Sequence, residues 1–81
     1  MGYHKTIINK GTVGEFSKIS EEYLELKDAV EQDCKILILN ELCDLVGSVE
    51  MYVEQKFNMT LKDIIQMKDL TKSSFVEGSR K

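Results

Sequence analysis

The sequence predicts an all-α fold in which an antiparallel helical hairpin is followed by a third helix and preceded by a short extended N-terminal arm, with several chains assembling into an oligomeric helical bundle. Three observations carry this expectation. Apolar residues recur at alternating steps of three and four along two consecutive stretches, the chain contains no proline, and the only glycines after Gly14 are Gly47 and Gly78. Little in such a chain interrupts a helix.

The arm covers residues 1–12, where the β-like run Thr6-Ile7-Ile8 is followed by the turn signal Asn9-Lys10-Gly11. Phe16, Ile19, Tyr23, Leu26 and Val30, at spacings of 3, 4, 3 and 4, predict a first helix with one apolar seam. Ile38, Leu42, Leu45, Val49 and Tyr52, at spacings of 4, 3, 4 and 3, predict a second. At about 100° per residue, the second seam is rotated roughly 100° from the continuation of the first. That phase break places a turn within Glu31-Gln32-Asp33-Cys34, and facing seams then make a hairpin. Leu37, Leu39, Val46, Met51 and Val53 are further apolar residues on the second helix, which implies burial on more than one side, for example by a second subunit. The third helix opens at Thr60, with Asp63 completing a capping box. Leu61, Ile64, Ile65, Leu70 and Phe75 form its apolar side, and Gly78 is the expected stop.

Eighty-one residues, 42% of them hydrophobic, make one small globular domain spanning 1–81. A chain of this size buries only about 60 to 65% of its unfolded surface, so self-association is expected. Fourteen acidic against eleven basic side chains, with no dense basic run, disfavour nucleic acid as a partner. No stretch approaches the length of a membrane span, and the opening residues lack the apolar run of a signal peptide. Cys34 and Cys43 fit neither a disulfide scaffold nor a zinc site and read as free thiols of a cytoplasmic protein.

Chemistry concentrates in the stretch EEYLELKDAVEQDCKILILNELCD at 21–44. Residues three apart on a helix are neighbours, so Glu22 can act with Glu25, and Glu41 with Asp44. Glu22 and Glu41 each lie roughly 80° from their own seam in the same rotational sense, which brings both pairs to one flank of an antiparallel hairpin. The pairs Glu22 with Asp44 and Glu25 with Glu41 are also both centred on residue 33, inside the expected turn. Four carboxylates at one level repel one another unless a cation neutralises them. Oxygen-only ligands favour Mg²⁺, with Mn²⁺ as a substitute, and the di-iron alternative lacks its histidine, because His4 in the arm is the only one. A carboxylate-held ion with open positions points to phosphate chemistry. No glycine-rich phosphate loop is present, so Lys68, Lys72 and Arg80 are the candidate phosphate contacts.

The motifs EEYLE at 21–25 and ELCDL at 41–45 resemble the Glu-Glu-x-x-Glu and Glu-x-x-Asp motifs of the MazG-like nucleoside triphosphate pyrophosphohydrolases, an all-α family. The tail KDLTKSSFVEGSR at 68–80 is similar to the ending of short, phage-type members. The resemblance covers roughly residues 13 to 80. It implies Mg²⁺-dependent hydrolysis of a nucleoside triphosphate to monophosphate and pyrophosphate, with Glu22, Glu25, Glu41 and Asp44 holding metal, a metal-held water attacking, and Lys72 and Arg80 contacting phosphate. It also implies a dimer or tetramer. The alternatives left open by the residues are a non-catalytic helical oligomerisation or interaction module and a regulatory nucleotide-binding protein.

Overall fold

The computed structural model describes residues 7–76, with only the backbone of 72–76. Its element order is α1 (Phe16–Glu31), α2 (Lys35–Phe57) and α3 (Leu61–Val76), and there is no strand among the described residues. α1 packs against α2 as a hairpin, whereas α3 packs against α2 alone. Residues 7–12 run ahead of α1 without helix or strand.

The turn falls on the expected residues. Asp33 adopts the left-handed conformation at φ 55°, donating its N–H to the Val30 carbonyl, while the Cys34 N–H reaches the Ala29 carbonyl. Aspartate tolerates this backbone region better than most residues, which is how the chain reverses with no glycine. At the far end of α2, Asn58 takes the same conformation at φ 54°, and its N–H closes on the Glu54 carbonyl. α3 then opens on a reciprocal capping box: the Asp63 N–H donates to Thr60 Oγ1 at 3.2 Å and the Thr60 N–H to Asp63 Oδ2 at 3.0 Å. The expected stop at Gly78 lies outside the described residues.

The seams do not face each other as expected. Phe16, Tyr23 and Val30 are 67%, 55% and 54% exposed, and the buried residues of α1 are Glu21, Glu22, Asp28 and Ala29. On α2 the buried residues are Leu37, Glu41, Ser48 and Val53, and Leu42 is exposed. At about 100° per residue, the buried face is turned roughly 140° from the seam on α1 and roughly 60° on α2. On α1 the inward face is the one that the segment ahead of the helix covers at Glu21 and that α2 meets at Glu22, beside Glu41. Periodicity identifies an apolar stripe but not what covers it. Ala29, Leu37 and Val53 are the buried apolar side chains among the described residues. On α3, Ile65 and Leu70 of the expected apolar side are exposed, and the side chain of Phe75 lies outside the described residues. No helix among the described residues is long and apolar enough to cross a membrane.

Candidate metal centre

Five carboxylates meet where α1 crosses α2. Ligand oxygens of Glu22, Glu41 and Asp44 lie within 4.8 Å of one another, and so do those of Glu21, Glu22 and Glu25. Glu22 belongs to both groups. The helices deliver this because Glu22 and Glu25 are one turn apart on α1, Glu41 and Asp44 one turn apart on α2, and the tight turn sets the two pairs at one height. Glu21, Glu22 and Glu41 are buried, Glu25 is half-buried and Asp44 is exposed.

Glu22 and Glu41 are 5% and 3% exposed, a depth at which carboxylates are rarely found without compensation. Glu22 Oε2 pairs with Lys18 Nζ at 3.0 Å, one helical turn earlier, whereas Glu22 Oε1 is buried with no hydrogen-bond partner among the described residues. A buried carboxylate oxygen left in that state is costly, and a cation beside Glu41 and Asp44 would satisfy it. All donors are carboxylate oxygens, so the fit is to a hard ion such as Mg²⁺ or Mn²⁺.

Glu21 is held differently. Its Oε1 accepts the Gly11 N–H at 2.7 Å and a bond from Lys18 Nζ at 3.1 Å, and Lys10 Nζ lies 3.7 Å from its Oε2. Burial alone would raise the Glu21 carboxyl, but the Gly11 amide, the Lys18 ammonium and a hydrogen bond with Glu25 outweigh it and bring it to about 2. Burial, the bond with Glu21, the charge of Glu22 and a bond with Glu41 push Glu25 the other way, up to about 7. The hydrogen bond to Glu22 is the main cause holding Lys18 above its ordinary value, against partial burial.

A cleft of about 770 Å³ opens beside the acids, lined by Lys10, Glu25, Glu41 and Asp44 on its polar side and by Ile36 and Leu39 on its apolar side. That volume suits a nucleotide-sized ligand. Among the described residues, Lys10 is the basic side chain on its wall. Lys68, expected to contact phosphate, is exposed on α3, pairs with Asp69 at 2.8 Å, and lines neither this cleft nor a smaller one of about 450 Å³ beside Lys18 and Glu22. The side chain of Lys72 and all of Arg80 lie outside the described residues.

Sequence reasoning passed over Lys10, Lys18 and Glu21 as site members. Lys18 was within reach, since it stands three and four residues before Glu21 and Glu22. Lys10 was not, because only the docking of the segment ahead of α1 carries it to the acids. Comparison with protein-family models, with curated proteins and with solved structures finds no match to this chain.

Proposed function

We propose that the protein is a Mg²⁺-dependent nucleoside triphosphate pyrophosphohydrolase that releases the nucleoside monophosphate and pyrophosphate in the cytoplasm. One observation carries the reading: Glu22, Glu41 and Asp44 converge from two helices with a buried, unsatisfied Glu22 oxygen among them, on the wall of a nucleotide-sized cleft. The resemblance of EEYLE and ELCDL to the MazG-like motifs supports the same assignment.

In this reading Glu22, Glu41 and Asp44 hold the ion, with Glu25 completing the set from the α1 side. The bound ion would supply charge neutralisation at the phosphates and a more acidic water. Without the ion, Glu25 faces the cleft within hydrogen-bonding reach of Glu41 and holds a proton there, which binding of the ion would displace. Lys10 stands at the same wall, where an ammonium can meet a phosphate oxygen that carries no metal. Ile36 and Leu39 offer apolar surface to the base. A homodimer or homotetramer fits the open stripes on α1 and α2.

The test is to incubate the purified chain with a panel of nucleoside triphosphates and Mg²⁺ and to look for monophosphate and pyrophosphate. Intact substrate throughout, from a chain shown to be folded, would sink the proposal. Those same open stripes favour a second reading, a non-catalytic helical interaction module. In that case Mg²⁺ would leave the melting temperature unchanged.

A further inference from the structure

Three residues of α2 stand at successive steps of four on the wall of the larger cleft: Ile36, Asn40 and Asp44. Steps of four stay on one side of a helix and rise about 6 Å each, so the three form a row that runs from an apolar side chain through an amide to a carboxylate. Asp44 is the member of the row that belongs to the acidic cluster. Leu39 widens the apolar end on the same wall. Two side-chain amides line this cleft, those of Gln32 and Asn40. Gln32 is tied down, because its Nε2 donates to Asp28 Oδ2 at 3.1 Å. Asn40 is exposed, and its side chain makes no hydrogen bond among the described residues. In the middle of a helix an asparagine caps nothing and costs helix propensity, so α2 gains nothing from it.

We infer that Asn40 reads the base of the bound nucleotide and that this base is adenine. The inference rests on the nucleotide-binding part of the proposed function. With the phosphates at the Asp44 end, the apolar end of the row is where a base finds surface to cover, and a base lying over Ile36 and Leu39 has its edge level with Asn40. A side-chain amide presents a donor beside an acceptor. Adenine presents the complement, an acceptor at N7 beside a donor at N6, so the pair closes two hydrogen bonds. Guanine carries acceptors at both N7 and O6, which sets one of them against the amide oxygen. A pyrimidine has one ring instead of two and covers less of Ile36 and Leu39. Asn40 is then a specificity-determining residue that takes no part in the bond breaking.

The experiment measures kcat/KM with Mg²⁺ for the triphosphates of adenosine, guanosine, cytidine and 7-deaza-adenosine, in the wild type, Asn40→Leu and Asn40→Asp. Calorimetric titration with the α,β-methylene analogues of adenosine and guanosine triphosphate runs alongside, and helical circular dichroism is the folding control. The wild type should favour adenosine triphosphate over the guanosine and 7-deaza compounds by roughly tenfold to a hundredfold, the range for one bidentate pair. Asn40→Leu should lose that preference, and so should Asn40→Asp, whose carboxylate sets an acceptor against N7. Equal use of adenosine and guanosine triphosphate by the wild type, or a preference for adenosine that persists in Asn40→Leu, would overturn the inference and leave the hydrolase reading standing. No turnover of any triphosphate would overturn the hydrolase reading, and the methylene analogues then decide the inference alone. It stands if the adenosine analogue binds more tightly and Asn40→Leu abolishes the difference, and it falls if neither analogue binds or both bind equally.

Discussion

The Gly11 N–H donates to Glu21 Oε1 at 2.7 Å, a bond between residues ten positions apart that fastens the segment ahead of α1 onto the acidic cluster. A second contact lies close by, with the Thr12 N–H donating to Ser17 Oγ at 3.0 Å. Gly11 is needed for this approach, because a Cβ there would run into the backbone of Ser17 and Lys18.

Gly11→Ala should therefore lift the segment away and leave Glu21 without its amide donor. The expected cost is about 1 to 3 kcal/mol, within the range for a steric clash and a lost hydrogen bond to a buried charge. Chemical denaturation measures it, and an unchanged midpoint would show that the segment is not held through this bond.

Glu41→Gln keeps the side chain's size but removes one charge from the group formed with Glu22 and Asp44. Turnover of triphosphate should disappear while the helical circular dichroism signal stays. Under the proposed function Mg²⁺ would stabilise the wild type by about 1.4 kcal/mol at ten times the dissociation constant, and in this variant that gain should shrink towards zero. Undiminished activity in this variant would remove Glu41 from the site.

Two carboxyls of the cluster make opposite contributions to the pH dependence of the metal-free protein. Glu25, raised from 4.5 to about 7 by burial and by Glu21, Glu22 and Glu41, keeps its proton in the folded state after the unfolded chain has lost it. Stability should therefore fall as pH rises from 4.5 to about 7. Glu21, lowered from 4.5 to about 2, contributes stability above 4.5 that is lost as pH falls towards 2. Thermal melts across this range should show a maximum in the mildly acidic region. Glu25→Gln should flatten its neutral side, and an unaltered profile in that variant would refute the assignment.

Tyr23 lies at the middle of the exposed α1 stripe, between Phe16 and Val30 at heptad spacing. The proposed self-association through this stripe predicts an oligomer for the wild type and a monomer for Tyr23→Glu in sedimentation velocity, because the charge would have to be buried in an apolar contact. Identical sedimentation of variant and wild type would remove this stripe from the proposed contact.

Much of the fold was legible in the residues, because helix ends are written locally. Asp33 in its polar run and Thr60 with Asp63 mark a turn and a cap through their own chemistry. The level at which Glu22 meets Glu41 and Asp44 was legible too, since the position of the turn sets it. The roll of each helix was not. Tyr23 and Glu22 are adjacent in sequence, and which of them faces inward depends on what lies over Glu21, a tertiary contact no local pattern encodes. The same gap hid Lys10, which reaches the acids only through the Gly11 contact.

The tight reversal at Asp33 also bears on how the protein is made. Glu25 and Glu41 are only sixteen positions apart, so closing the hairpin costs little chain entropy and its contacts are of low contact order. A hairpin that closes before α3 docks on α2 would force the carboxylates together early, so their repulsion would add to the folding barrier. An ion bound at the proposed site would then speed folding more than it slows unfolding.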